Sequence, residues 1–208
     1  MKAIQKYFPD LTNLQIDQLS KLQALYVDWN SKINVISRKD IDNLYLHHVL
    51  HSMAIAKFTQ FIPGADIIDL GTGGGFPGIP LAILFPDTNF YLADGTKKKI
   101  RVVNEVIEAL DLKNVRGHHQ RAEELKIKFD YVVCRAVTTI DKLVLWSKIL
   151  IKEDQQHGLP NGLIALKGGN IKEELKLLPH REYTEIIKLS KFFNEDYFEE
   201  KHVVYVQI

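Results

Sequence analysis

Cysteine is nearly absent. Cys134 is the only one in 208 residues, which excludes an internal disulfide framework and suits a reducing, cytoplasmic setting. A charge excess is absent too. Lys and Arg number 27 against 26 Asp and Glu, a formal net charge of +1. A nucleic-acid partner would therefore have to be held by a local basic patch and not by the field of the whole chain. No apolar run approaches the roughly 20 residues of a membrane span, and the opening M-K-A-I-Q-K-Y-F-P-D lacks the long apolar core of a signal peptide. The expectation is a protein without membrane attachment. No internal repeat is visible. Hydrophobic residues at 46% and charged residues at 25% match a folded globular chain. Its length suits one domain of ordinary size with a helical extension.

The densest signal runs from Asp66 to Pro80. Ile67, Ile68 and Leu70 form a short apolar run, read as a strand buried on both faces. Gly71, Gly73, Gly74, Gly75 and Gly78 follow, and Leu81 to Leu84 resume an apolar, helix-like pattern. Strand, glycine loop and helix together form a nucleotide-type site at the carboxyl end of a strand. Two registers compete. Gly73-x-Gly75-x-x-Gly78 fits the dinucleotide pattern. Asp69-x-Gly71-x-Gly73-x-Gly75 places the first glycine directly after the strand and leaves Asp69 aimed at the loop. A cationic ligand would welcome that carboxylate and a pyrophosphate would not, which favours S-adenosylmethionine over NAD.

Upstream, Thr12-x-x-Gln15 reads as a capping box, opening a helix with Leu19, Leu22, Tyr26, Trp29 and Ile33 on one face. A second helix is expected from about Asp40 to about Phe58. It carries His47 and His51 at i, i+4, which could share a metal; with no acidic or cysteine ligand beside them the expectation is no metal. His48 reads either as facing the substrate or as a structural histidine. Downstream, Asn89 to Asp94 is the second strand. Asp94 stands where a carboxylate accepts from ribose hydroxyls, or else caps the next helix. Lys97, Lys98, Lys99 and Arg101 open that helix, as phosphate contacts or as a solvated face. A third strand, Asn114 to His118, and a fourth, Phe129 to Val133, follow. The fourth ends in Cys134, read as a small core residue, and Arg135, whose planar fork would lie at the cleft mouth. A helix from Ile140 to Leu150, a strand at Leu163 to Leu166, a short helix at Glu173 to Leu178 and two late strands complete the chain. The late strands, Glu185 to Leu189 and Lys201 to Ile208, are expected as an antiparallel edge pair.

The phrase D-L-G-T-G-G-G-F-P-G-I-P resembles the signature of the RsmG family, also called GidB. Further matches are Trp29-Asn30 with Asn34, His48 with Ser52, Arg135-Ala136, and the A-L-K-G phrase at Ala165 to Gly168. Where the family usually shows R-H-x-x-D-S, this chain has histidines at 47 and 51. The resemblance implies a class I methyltransferase, an α/β Rossmann-like doubly wound sheet, mostly parallel with an antiparallel edge strand. Residues 1–60 would be an N-terminal helical extension packed on a methyltransferase domain at 61–208. It further implies S-adenosylmethionine as cofactor and N7 of a guanine in the 530 loop of 16S ribosomal RNA as target, with the small ribosomal subunit as partner of a monomeric enzyme. Cofactor contacts would come from Asp69, Gly71, Gly73, Gly75, Phe76, Asp94, Ala122, Glu123 and Arg135. RNA contacts would come from Arg38, Lys97, Lys98, Lys99, Arg101 and Lys167. No acid or base is expected, only positioning, with Arg135 and His48 as the nearest candidates. N7 carries a lone pair and no proton. The chain also lacks the D/N-P-P-Y/F phrase of amine methylation and the Pro-Cys phrase of pyrimidine C5 methylation. A small-molecule methyltransferase, an NAD-dependent oxidoreductase and a non-catalytic ribosome-binding module remain as alternatives.

Overall fold

The computed structural model describes residues 1–135, 137–169, 171–178 and 182–208, the side chain of Lys172 excepted. Two helices open the chain, α1 (Lys2–Tyr7) and α2 (Asn13–Lys32). The second begins at its capping box. Gln15 N donates to Thr12 Oγ1 at 3.2 Å and Thr12 N donates to Gln15 Oε1 at 2.9 Å, satisfying donors that a helix start leaves unpaired. Leu19, Leu22 and Tyr26 are wholly buried, as the helical spacing requires. Asn30 then shapes the turn that follows. Its Oδ1 accepts from Val35 N at 2.8 Å and Ile36 N at 3.0 Å, and its Nδ2 donates to Ile36 O at 2.8 Å.

The helix expected from about Asp40 to about Phe58 is not a single α-helix. A 3₁₀ turn, Ile41–Asn43, leads into a π-helix, Leu44–Leu50, and then into α3 (His51–Met53) and α4 (Ile55–Phe58). Arg135 Nη1 at 3.0 Å and the Tyr197 hydroxyl at 3.2 Å both address the His47 carbonyl. These outside donors compete with the intrahelical bond that an α-helix would place there, and wide turns of this kind concentrate at functional sites.

The remaining elements alternate: β1 (Asp66–Leu70), α5 (Gly78–Leu84), β2 (Asn89–Asp94), α6 (Lys97–Ala109), β3 (Val115–His119), β4 (Tyr131–Arg135), α7 (Ile140–Leu150), β5 (Gly162–Gly168), α8 (Ile171–Leu175), β6 (Thr184–Lys188) and β7 (Lys201–Gln207). They build a seven-stranded sheet in the order β3-β2-β1-β4-β5-β7-β6. Strands β1 to β5 pair in parallel. β7 runs antiparallel to both β5 and β6. The reversed strand is therefore internal and β6 forms the edge. Strand order reverses between β1 and β4, the crevice where open α/β sheets bind ligands. Only a 3₁₀ turn, Ala122–Glu124, stands between β3 and β4.

Two apolar clusters cover the two faces of the sheet. One unites Ile4, Leu19, Leu22 and Tyr26 with Ile67, Ile79, Leu92 and Val103. The other unites Ile68, Val132 and Leu163 with Leu143 and Val144 of α7. Residues 1–60 thus share a continuous core with the sheet. Replacing Leu22 with Ala is expected to lower global stability by about 2–5 kcal/mol. Chemical denaturation followed by both circular dichroism and tryptophan fluorescence should give one shared transition; a separate early transition for the N-terminal helices would contradict that continuity.

Candidate active site

The glycine loop closes on itself through Asp69. This residue is fully buried at the end of β1. Its Oδ2 accepts from Thr72 Oγ1 at 2.6 Å and from Gly78 N at 2.8 Å. Burial pushes the carboxyl up to about 7, against those two hydrogen bonds, which favour the ionised form. The sequence expectation of Asp69 as a counter-charge aimed at the ligand is therefore corrected. The carboxylate is turned onto its own loop, and it lines neither cavity of the cleft. Gly75 is corrected likewise. A Cβ there would lie 2.5 Å from Ile79 Cδ1 and 3.1 Å from the Tyr26 hydroxyl, so it makes room for packing and not for a ligand.

Gly71 and Gly73 do face the cleft, with φ of +72° and +58°. Both lie in the left-handed region that L side chains rarely adopt. A Cβ at Gly73 would have nothing nearer than 4.0 Å, so the loop leaves a vacant cradle on its cleft side. Asp94, at the end of β2, steadies this segment: Oδ2 accepts from Gly73 N at 3.0 Å and Oδ1 from Thr96 N at 2.8 Å.

Two unlike cavities meet at Gly71. The first, about 250 Å³, has Leu70, Ala93, Val137 and Trp146 as apolar walls, with Asp94 and Glu123 among its polar groups. Ala122 lines it beside Glu123. The second, about 410 Å³, is polar and is lined by Thr72, Gly73, Phe76, His48, Lys99 and Arg135. Another cavity, about 380 Å³, lies at the amino ends of β1, β2 and β3, the wrong end of a parallel sheet for a cofactor.

Arg135 ends β4 in the polar cavity. Its Nη1 donates to His47 O and its Nη2 to His48 Nδ1, each at 3.0 Å. Its Cζ lies 5.1 Å from the centre of the Phe76 ring, within cation–π range. His48 Nε2 is 2.7 Å from Asp40 Oδ2. Burial and the adjacent guanidinium lower the His48 pKa to about 4, so the ring is neutral. Burial likewise drives His51 well below the ordinary histidine value, with Arg135 and Lys201 adding to the shift. His47 stacks on Tyr197, ring centres 3.9 Å apart, and His51 meets the edge of the same ring at 5.6 Å. The two histidines thus share an aromatic partner. Among the described residues, no group of three His, Cys, Asp or Glu side chains could hold a metal ion.

Of the basic residues expected to meet RNA, Arg38, Lys97, Lys98 and Arg101 are exposed and Lys99 lines the polar cavity. Arg101 also lies over Trp29, 5.9 Å from the ring centre. Lys167 is a correction. It is buried, pairs with Glu174 at 2.7 Å and donates to Thr138 O, so its charge is engaged inside the protein. Cys134 sits in the core and burial pushes its thiol up to about 12, which suits a packing role over a nucleophilic one. Sequence reasoning missed Asp40 and Tyr197. Neither carries a local motif: Asp40 meets His47 and His48 across the turn that opens the π-helix, and Tyr197 is brought to the cavity by contacts distant in sequence.

The raised pKa of Asp69 has a measurable effect. A carboxyl whose folded pKa exceeds its unfolded value stabilises the fold fully below the unfolded pKa, and that contribution is lost as pH rises through the folded one. Relative to Asp69→Asn, the natural protein should lose stability between about pH 4 and about pH 7. Thermal melting of both proteins across that range checks the sign; parallel curves would refute it.

Comparison with known proteins places these features in a family. The chain is 57% identical over 209 residues to ribosomal RNA small subunit methyltransferase G of Flavobacterium psychrophilum, covering 100% of this chain and 98% of that protein. It is 57% identical over 208 residues to the protein of the same name from Bacteroides thetaiotaomicron, covering 100% of each. In fold it resembles a precorrin-6y C5,15-methyltransferase from Geobacter metallireducens, with a TM-score of 0.57, 10% identity and coverage of 85% of this chain and 92% of that one. It also resembles a SAM-dependent methyltransferase from Aquifex aeolicus, with a TM-score of 0.55, 16% identity and coverage of 74% and 88%. The architecture is therefore the α/β Rossmann-like fold of class I methyltransferases. Among the described residues, no helix is long and apolar enough to cross a membrane. The model of the GidB family, rRNA small subunit methyltransferase G, matches residues 15–203, and the chain belongs to that family.

Proposed function

We propose that the chain transfers a methyl group from S-adenosylmethionine to N7 of a guanine in 16S ribosomal RNA, in the 530 loop, acting in the cytoplasm as a monomer on RNA of the small ribosomal subunit. The observation that carries this reading is the junction of two unlike cavities at Gly71. An apolar slot with carboxylates suits an adenosine; a polar chamber with cations suits a phosphate-bearing substrate and the charged amino-acid end of the cofactor. The donor set fits. Asp94 would accept from ribose hydroxyls, Ala122 and Glu123 would meet the purine edge, and Gly73 would let the ligand approach the backbone beside Gly71, whose own Cβ side is filled by Val137. Arg135 would take the cofactor carboxylate with its planar fork, and Phe76 would wall the junction.

Bound S-adenosylmethionine supplies an electrophilic methyl group on a sulfonium. The protein's own contribution is orientation and the exclusion of water. Transfer would break the S–CH₃ bond and form the N7–CH₃ bond, with the positive charge passing to the guanine ring and no proton leaving. A base would not be required. The His48 Nδ1 lone pair is engaged by Arg135, and the ring stays neutral with a pKa of about 4. Lys167 is paired with Glu174. Lys97, Lys98, Lys99, Arg101 and Arg38 would meet the RNA backbone, where cations position the duplex without reading sequence.

Labelled methyl transfer to small-subunit RNA, followed by mass mapping of the modified fragment, tests the assignment. Label at N7 of a guanine is expected; label on a pyrimidine or an exocyclic amine would overturn it. Gly73→Val should abolish binding of S-adenosylhomocysteine while leaving the circular dichroism spectrum intact. Replacing Lys97 and Lys98 together with Ala should weaken RNA binding, flatten its salt dependence by about one logarithmic unit per lost phosphate contact, and leave cofactor affinity unchanged.

A further inference from the structure

The polar cavity holds an arrangement that the functional reading does not require. Arg135 is a cation at a strand end, yet among the described residues its guanidinium pairs with no carboxylate directly. It is held instead by the His47 carbonyl and by His48 Nδ1. The carboxylate stands one ring further out, where Asp40 Oδ2 lies 2.7 Å from His48 Nε2. Arginine offers only donors. His48 Nδ1 must therefore accept, the ring proton must sit on Nε2, and that proton points at Asp40. The other Asp40 oxygen is 2.5 Å from His47 Nδ1. His47 in turn stacks on Tyr197, whose hydroxyl lies 3.2 Å from the same His47 carbonyl that Arg135 uses. Burial disfavours ionisation of Asp40, but the hydrogen bonds from the two histidines outweigh it and keep the group below the ordinary carboxylate range.

We propose that Asp40 and His48 are positioning residues that act through Arg135, an indirect counter-ion that orients the guanidinium for the carboxylate end of the cofactor without neutralising it. A direct Asp–Arg pair would occupy the fork that an incoming carboxylate needs. Set one imidazole away, Asp40 compensates the buried cation and fixes the histidine tautomer, as outer-layer carboxylates do for metal-bound histidines. Among the described residues, two of the five guanidinium N–H groups are used by the protein, which leaves three for a ligand. The inference rests on the proposed cofactor and adds how the chain presents Arg135 to it.

Calorimetric titration with S-adenosylhomocysteine tests this in the natural protein and in Asp40→Asn, His48→Ala, His48→Gln, Arg135→Ala and the Asp40→Asn/Arg135→Ala double variant. Asp40→Asn and His48→Ala should each weaken binding by about tenfold or more, the range typical of lost outer-layer partners. Melting temperatures should stay near that of the natural protein. His48→Gln, which can accept from Arg135 and donate toward Asp40, should recover most of the affinity. In the Arg135→Ala background, Asp40→Asn should add nothing. Undiminished affinity in His48→Ala and Asp40→Asn, or a full Asp40 effect without Arg135, would overturn the proposal. A second reading needs no ligand. Nitrogen-15 shifts of His48 should show Nε2 protonated and Nδ1 bare, and a proton on Nδ1 would also overturn it. A natural protein that bound no S-adenosylhomocysteine would instead defeat the cofactor assignment and, with it, the purpose given to the relay, while the tautomer would still decide whether the relay exists.

Discussion

The cleft depends on a carboxylate turned away from both of its cavities. A loop with glycines at 71, 73, 74, 75 and 78 has great conformational freedom, and ordering it is costly. Asp69 Oδ2 gathers Thr72 and Gly78 from the two ends of that loop onto one oxygen. From the neighbouring strand, Asp94 Oδ2 holds Gly73 N. Two acidic residues at the ends of adjacent parallel strands thus fix the backbone between them. What remains on the cleft side is the open space that a side chain at Gly73 would fill. Pre-ordering of this kind lowers the cost of binding, because the loop entropy is lost on folding and not on association.

The N-terminal helices complete the other wall. The Tyr26 hydroxyl, on α2, donates to Gly74 O at 2.5 Å. Val35, set by the Asn30 turn, packs where a Cβ on Gly74 would stand, 3.2 Å from Val35 Cβ. Fully buried apolar side chains such as Leu19 and Leu22 each stabilise this contact by about 1.5–3 kcal/mol. The π-helix then carries the His47 carbonyl and the His48 ring to Arg135. A segment that looks dispensable to a sheet-and-helix sandwich therefore supplies three of the groups that define the polar cavity: Asp40, His47 and His48.

The sequence made the framework legible because that framework rests on local rules. Short apolar stretches that end in a glycine or a charged residue, as at Gly71, Asp94 and Arg135, mark strands whose carboxyl ends converge, so Asp94, Ala122, Glu123 and Arg135 could be placed at one edge from spacing and family resemblance. The capping box at Thr12 is equally local. What was illegible is where a side chain turns once it reaches that edge. Asp69 and Asp94 both end strands beside the loop, and only the fold separates the buried staple from the residue that also lines the cleft. Lys167 looked like Lys99 until Glu174 was brought beside it. His47 and His51 invited a metal reading by spacing alone, whereas their partner, Tyr197, arrives from about 150 residues downstream. The break in the second helix was hidden for the same reason, since the donors that open it belong to β4 and to the C-terminal segment.

These side-chain directions also resolve a tension in the composition. A net charge of +1 gives the chain no general attraction for a polyanion. The cleft differs from the average. His48 and His51 are neutral at physiological pH, because burial and the Arg135 guanidinium oppose their protonation. Asp69 is turned inward, and Lys167 is matched by Glu174. The charges left lining the polar cavity are Arg135, Lys99 and Lys201 against Asp40, with Lys97 and Lys98 exposed on the first turn of α6 next to Lys99. Cations are thus concentrated at one mouth while acidic residues are engaged elsewhere, and a nearly neutral protein acquires a positive entrance. Because the cations Arg135, Lys99 and Lys201 of that entrance are arginine and lysine, they stay charged through the physiological range of pH.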